Sequence, residues 1–145
     1  MKGTVMRKFL FASHAYLAEG VKSALELIMG EQESVEVMCA YLQEDYDIKQ
    51  EIKKYMDNLS EEAELIIITD VLGGSVNNEF VENIAGRKNI FLISGLTLSL
   101  VMNLICRKDE ECPTEKMIQE CIEEAKESIC FCNARMCEET EDEDF

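Results

Sequence analysis

Apolar residues along this chain occur in two alternating patterns, short continuous runs and longer stretches of helical spacing. The first run, residues 8–12, is almost wholly apolar, as strands buried on both faces of a parallel sheet are. Apolar residues then recur every three or four positions from Leu17 to Ile28, and Gly30 follows at the place where a helix ends. This stretch predicts a strand, a turn and a helix.

The same strand–helix pattern returns three more times. Four such units in succession predict an α/β fold, a three-layer sandwich in which helices flank a central four-stranded parallel sheet of order 2-1-3-4. A fifth helix and a last short strand complete the prediction. The later strands are predicted at 35–40, 65–69, 89–93 and 129–136, and the later helices at 48–59 with Asp47 as N-cap, 76–85, 97–106 and 113–126.

The uncharged run 89–106 is close to the lower length limit of a membrane span. Small and polar residues interrupt it at Ser94, Gly95, Thr97, Ser99 and Asn103. We therefore interpret the run as a buried strand, a loop and a helix.

Length and charge limit the classes of function. The 145 residues suit one domain, which we place at 1–137, followed by an acidic tail at 138–145 that we predict to be disordered. The net charge of −16, from 30 acidic and 14 basic residues, excludes a nucleic-acid-binding surface. It favours association with a basic protein partner.

Six of the seven cysteines fall between residues 106 and 137. Because the N-terminus resembles a signal peptide only weakly, we predict a cytoplasmic protein with reduced thiols. Cys130 and Cys132, with Cys137 or Cys121, do not have the spacing of a standard zinc site. We predict structural thiols, with no resident metal and no cofactor.

The candidate chemistry lies where strands 1 and 3 end. In the order 2-1-3-4 these strands are neighbours, so His14 after strand 1 and Asp70 after strand 3 can meet. A carboxylate on one imidazole nitrogen fixes the tautomer and leaves the other nitrogen free as a nucleophile. Gly73, Gly74 and Ser75 open a helix N-terminus, which favours anions. The histidine, the carboxylate and the glycine turn together indicate phosphoryl transfer through a phosphohistidine. Residues 94–97 should reach the same edge of the sheet.

The alternative interpretation is that His14 is an ordinary surface histidine and that Asp70 only caps a turn.

The motifs SH-x3-AEG from Ser13 and D-x2-GGS from Asp70 resemble the IIA component of the mannose/fructose/sorbose family of the bacterial sugar phosphotransferase system. The resemblance covers about the first hundred residues. It implies that His14 is phosphorylated, that Asp70 is its partner, and that Gly73, Gly74 and Ser75 form the phosphoryl-binding turn. It also implies a homodimer with a C-terminal antiparallel strand, 129–136, exchanged between subunits. The implied partners are the phosphocarrier HPr, which donates the phosphoryl group, and a IIB component, which accepts it. The IIB component then phosphorylates the sugar as it enters through the membrane components IIC and IID.

The chain departs from the family pattern at three places: Ala15 replaces a usual glycine, Val76 a usual proline, and Thr97-Leu98-Ser99 a usual Asn-x-Pro segment. Two alternatives share the fold. One is the phosphotransfer subunit of dihydroxyacetone kinase, and the other is a regulatory binding module that performs no catalysis. A phospho-aspartate receiver domain would need an acidic pair after strand 1, where Ser13 and His14 stand.

Overall fold

Strands and helices alternate along most of this computed structural model, which describes residues 6–143 and the side chains as far as 137. The strands are β1 (Arg7–His14), β2 (Val35–Ala40), β3 (Glu64–Thr69) and β4 (Ile90–Ser94). The helices are α1 (Leu17–Met29), α2 (Ile48–Asp57), α3 (Ser75–Asn83), α4 (Leu98–Cys106), α5 (Thr114–Glu127) and α6 (Cys132–Glu143).

The four strands form one sheet in the order β2-β1-β3-β4, and every neighbouring pair is parallel. The predicted α/β fold and strand order are therefore confirmed. Because all four strands point the same way, the residues that follow them meet at one edge of the sheet. The register pairs Ala12 of β1 with Thr69 of β3, which brings the residues after both strands side by side.

Side chains alternate across β1, so each face of the sheet has its own core. Phe9 and Phe11 pack in one apolar cluster with residues of α1, α4 and α5. Leu10 and Ala12 pack in the other cluster with residues of α2 and α3. All four side chains are at most 1% exposed. The continuous apolar run at the start of the chain thus reflects burial on both faces.

Several local predictions are confirmed. Asp47 caps α2, since its side chain accepts a hydrogen bond from the Gln50 backbone N–H. Gly30 ends α1 with a φ of 87°, a conformation that glycine adopts easily. The uncharged run 89–106 forms β4, a loop and α4. Within residues 6–143, the structure contains no helix long and apolar enough to cross a membrane.

The predicted last strand, 129–136, is wrong. Residues 129–131 have no regular structure, and residues 132–136 belong to α6. The apolar run from Ile129 to Cys132 favours a strand, but the residues after it, from Ala134 to Glu138, favour a helix. The helix also extends through residues 138–143, which we predict as part of a disordered tail. Residues 144 and 145 lie outside the described part of the chain, and the domain boundary at 137 stays a prediction.

A buried arginine holds the start of β1 against the segment between α4 and α5. Arg7 is only 4% exposed. Its guanidinium donates to the Thr114 hydroxyl at 2.8 Å and to the backbone carbonyls of Lys108, Glu110 and Cys112. The Glu64 carboxylate lies 3.8 Å from the Arg7 Nε. These contacts satisfy a charge that would otherwise be costly to bury.

We expect Arg7→Ala to lower the free energy of unfolding by about 3–5 kcal/mol, the range for removing one partner of a buried ion pair. Arg107→Ala is the matched control. Arg107 also pairs with carboxylates, Glu110 and Glu120, but at the surface, where such pairs contribute little. Urea unfolding followed by circular dichroism measures both variants. Equal losses in the two would show that the Arg7 contacts do not stabilise the fold.

Candidate functional site

His14 is the last residue of β1, and the backbone around it is held by hydrogen bonds. The Ser13 hydroxyl accepts from the Ala18 N–H at 2.7 Å and so satisfies a donor in the first turn of α1. Ala15 has a φ of 51°, in the left-handed region, and its N–H donates to the Ala40 carbonyl at the end of β2. This conformation explains why glycine suits the position after the histidine. The His14 side chain is 45% exposed.

Asp70 directly follows β3 and contacts His14 twice. Its Oδ2 accepts from the His14 backbone N–H at 2.7 Å and lies 2.8 Å from the imidazole Nδ1. Its Oδ1 accepts from the Val71 N–H at 2.9 Å. The carboxylate is only 5% exposed. It therefore favours the tautomer that carries its proton on Nδ1, and Nε2 keeps a free lone pair.

Two opposing effects set the pKa of Asp70. Burial alone would raise the pKa, because it disfavours the charged carboxylate. The hydrogen bonds from the His14 backbone and ring and from the Val71 N–H outweigh burial, so the pKa lies below its usual value. Asp70 is therefore ionised at neutral pH and can stabilise positive charge on the imidazole.

The turn from Gly73 to Ser75 lies on the other side of the imidazole. Gly73 has a φ of 80°. A Cβ on Gly74 would lie 3.2 Å from the Val71 carbonyl oxygen and 3.4 Å from the His14 Cε1, so glycine lets the turn approach the ring closely. The Ser75 hydroxyl lies 3.3 Å from the His14 Nε2, and α3 begins at Ser75. The predicted residues are thus brought together, with a hydroxyl and a helix N-terminus beside Nε2.

A buried asparagine fixes α3 relative to β3. Asn77 is 4% exposed, and its Nδ2 donates to the Thr69 Oγ1 at 2.8 Å. Thr69 is the last residue of β3 and directly precedes Asp70. The start of α3 and the Asp70 carboxylate are therefore positioned from the same point in the sheet.

Tyr41 also belongs to the site, although it lies in none of the sequence motifs that mark His14 and Asp70. Its ring packs against the His14 ring, with centroids 5.5 Å apart and planes tilted by 32°. Its hydroxyl donates to the Ser75 Oγ at 2.9 Å. Tyr41 directly follows β2 and has a φ of 64°. In a parallel sheet, ligands bind where the strands end, and we call this the edge rule. The rule selects His14 and Asp70, and it applies equally to the residue after strand 2, so it could have found Tyr41.

Residues 94–97 lie at the same sheet edge, as predicted, but they follow β4, which is not next to β1. The N–H groups of Gly95 and Leu96 donate to the Thr69 carbonyl at 2.8 and 2.9 Å. The loop and α5 line a separate cavity of about 210 Å³, with Leu100, Ile122 and Ala125 in its wall. None of the described hydrogen bonds joins this loop to His14, because β4 is separated from β1 by β3.

The cysteines are free thiols. Cys130, Cys132 and Cys137 are exposed, whereas Cys121 is buried on α5. Burial raises the pKa of the Cys121 thiol, although the nearby Arg107 partly opposes this effect. Among the residues that the structure describes, no three His, Cys, Asp or Glu side chains are grouped so that they could hold a metal ion.

Comparison with protein families finds a match over residues 8–126 to the family described as the PTS system fructose IIA component, where PTS is the sugar phosphotransferase system. Comparison with curated protein sequences finds no match. Among solved structures, a Klebsiella pneumoniae protein provisionally described as a phosphoenolpyruvate-dependent PTS permease is 40% identical. Its TM-score is 0.87, and the match covers 94% of this chain and 97% of that one.

Two further structures are similar in fold at lower identity. The PTS IIA protein associated with the fucose utilization operon of Streptococcus pneumoniae is 23% identical, with a TM-score of 0.76 over 93% of this chain and 99% of that one. The mannose/sorbose-specific IIA subunit from Enterococcus faecalis is 12% identical, with a TM-score of 0.75 over 88% and 95% of the two chains.

Proposed function

The chain belongs to the fructose IIA component family of the sugar phosphotransferase system, and we propose that it carries a phosphoryl group on His14. The donor is the phosphohistidine of HPr, and the acceptor is a IIB component that phosphorylates a sugar during uptake. The protein is then a cytoplasmic phosphotransferase that needs no cofactor.

The observation that carries this proposal is the asymmetric environment of the His14 ring. Nδ1 lies 2.8 Å from a buried carboxylate, whereas Nε2 faces a hydroxyl at the start of a helix. The side chain is half exposed, so a phosphoryl group on another protein can reach it. Donor hydrogens and the positive end of a helix dipole next to Nε2 favour the negative charge that a phosphoryl group brings.

The transfer step follows from this geometry. The Nε2 lone pair of His14 attacks the phosphorus of the donor phosphohistidine. The new N–P bond forms as the donor N–P bond breaks, and the electron pair of the broken bond returns to the donor imidazole. The proton on Nδ1 stays on His14, where Asp70 stabilises the positive charge of the phosphorylated ring. The same step, with the IIB component as nucleophile, returns His14 to its free form.

Exposed apolar side chains around His14 support a protein as the partner. Single exposed apolar residues are ordinary, but a group of them at one place marks an interaction surface. Here they occur in the segments that follow β1, β2 and β3, at the same sheet edge as His14. This group, the apolar collar, consists of Tyr16, Leu17, Tyr41, Leu42, Val71 and Leu72. With the net charge of −16, the collar suits a partner that surrounds an apolar contact with basic residues.

We expect Leu72→Ser to raise the KM for phospho-HPr on the order of tenfold while leaving kcat nearly unchanged, because burying a leucine side chain contributes about 1.5–3 kcal/mol. Leu72 is 78% exposed. The matched control is Leu27→Ser, since Leu27 is 88% exposed near the end of α1 that lies away from His14. The same rise in KM for both variants, or none for Leu72→Ser, would mean that the collar is not the docking surface.

The proposed function is tested by intact mass spectrometry after incubation with enzyme I, HPr and phosphoenolpyruvate. We expect the gain of one acid-labile phosphoryl group, which depends on HPr. Candidate IIB components and the other subunits of dihydroxyacetone kinase are then offered as acceptors, and discharge to a IIB component alone supports the proposal. No gain of mass by the folded protein would instead favour a regulatory binding module.

The homodimer that the family resemblance implies also stays a proposal. Ile129 and Phe131, between α5 and α6, are 79% and 73% exposed in the single chain. Large exposed apolar side chains of this kind are often covered in an assembly. Analytical ultracentrifugation decides between a monomer and a dimer.

A further inference from the structure

Beyond the residues that the resemblance implies, we propose that Tyr41 is a positioning residue that holds the Ser75 hydroxyl on the His14 Nε2 and so prepares the donor that the phosphoryl group will meet. The expected effect on phosphoryl transfer rests on the proposed function, whereas the hydrogen-bond arrangement itself does not. Three contacts support it, namely those from Tyr41 to Ser75, from Ser75 to His14, and between the rings of Tyr41 and His14.

The direction of these hydrogen bonds follows from which groups can donate. Asp70 is a carboxylate, so the contact at Nδ1 requires the proton to be on Nδ1. In the neutral ring Nε2 can then only accept, and the Ser75 hydroxyl must donate to it. A hydroxyl has one hydrogen, so the contact between Ser75 and Tyr41 requires Tyr41 to be the donor. The Tyr41 hydroxyl therefore orients the hydrogen of Ser75 towards Nε2.

The position of Tyr41 is specified by more than this one hydrogen bond. Its backbone has a φ of 64°, which non-glycine residues adopt rarely. The Tyr46 ring contacts it edge-on, with centroids 5.4 Å apart and an interplanar angle of 65°. Its ring also contacts the His14 ring. Residues held in uncommon backbone conformations cluster at functional sites, where the surrounding structure keeps them in place.

The arrangement has a consequence for the phosphorylated state. A phosphoryl group on Nε2 occupies the space in front of the lone pair to which Ser75 donates. The Ser75 hydrogen, still oriented by Tyr41, then donates to a phosphoryl oxygen. Without the Tyr41 hydroxyl, Ser75 can rotate and this donor is lost for part of the time. Tyr41 thus acts on the reaction through Ser75.

A double-mutant cycle on the rate of phosphoryl transfer from phospho-HPr tests this coupling. We expect Tyr41→Phe, which keeps the ring, to slow transfer about fivefold, the effect of one neutral hydrogen bond. In a Ser75→Ala background the same substitution should change the rate less than twofold, because its target is absent. The matched control is Tyr55→Phe, which removes a hydroxyl from a tyrosine of α2 near the starts of β1 and β3 and should leave the rate unchanged. An unchanged rate for Tyr41→Phe, or an equal slowing in both backgrounds, would overturn the proposal.

A second measurement does not depend on phosphorylation. His14 is the only histidine, so nitrogen-15 NMR of the imidazole reports on this site alone. We expect Tyr41→Phe to move the Nε2 resonance towards that of a free acceptor while Nδ1 stays in place, and Tyr55→Phe to move neither. If the wild type accepts no phosphoryl group, the proposed function fails, and this measurement still decides the role of Tyr41. An Nε2 resonance that stays in place in Tyr41→Phe would refute the proposal.

Discussion

His14→Ala should accept no phosphoryl group from phospho-HPr, whereas the wild type should gain one. The chain has a single histidine, so no second imidazole can substitute for it. The variant should also keep its fold. The Asp70 Oδ2 accepts from the backbone N–H of residue 14, and this hydrogen bond does not depend on the side chain. The lost side chain is half exposed, so little packing is removed with it.

Intact mass spectrometry under mild alkaline conditions, which preserve phosphohistidine, is the measurement. Circular dichroism confirms that the variant is folded. His14→Gln serves as a second variant that retains a polar side chain and still offers no imidazole nitrogen. A phosphoryl group on either variant would place the acceptor at another residue and would remove the basis of the proposed function.

Asp70→Asn should slow phosphoryl transfer on the order of 100-fold, which is the upper range for loss of one charge-assisted hydrogen bond. An asparagine has one oxygen and one NH2 group, whereas both Asp70 oxygens accept from N–H donors. If the NH2 group faces His14, the ring must carry its proton on Nε2, and the nucleophilic lone pair is lost. If it faces the Val71 N–H, the tautomer survives but the charge that stabilises the phosphorylated ring is gone.

The rate is measured by quenched flow with phospho-HPr in excess. The matched control for Asp70→Asn is Asp57→Asn, an exposed carboxylate at the end of α2, and it should transfer at the wild-type rate. If Asp70→Asn also transferred at that rate, Asp70 would be a structural residue that only fixes the backbone of residue 14.

Much of the fold could be predicted because its helices and strands repeat one simple pattern. Burial on both faces makes β1 and β3 continuous apolar runs, and alternating helices require parallel strands. The neighbouring positions of His14 and Asp70 follow from the order of the strands. The segment from Ile129 to Met136 could not be assigned in the same way, because a short apolar run followed by helix-forming residues suits either structure.

Other features depend on contacts that no local pattern reveals. Nothing about a tyrosine after a strand indicates a φ of 64° or a hydroxyl directed at a serine 34 residues away. Residues 94–97 share the sheet edge with the site, but the edge rule does not say how far apart two strands lie within it. His14 and Asp70 meet because β1 and β3 are adjacent, whereas β4 is one strand further.

The buried Arg7 also limits the order in which the newly made chain can complete its structure. β1 lies inside the sheet and is synthesised before the other three strands. The partners of the Arg7 guanidinium lie between Lys108 and Thr114, up to 107 residues later. Before residue 108 is translated, β2 and β3 can already pair with β1, yet Arg7 has only Glu64 to offset its charge. The full set of Arg7 contacts can therefore form only after the segment that leads into α5 has left the ribosome.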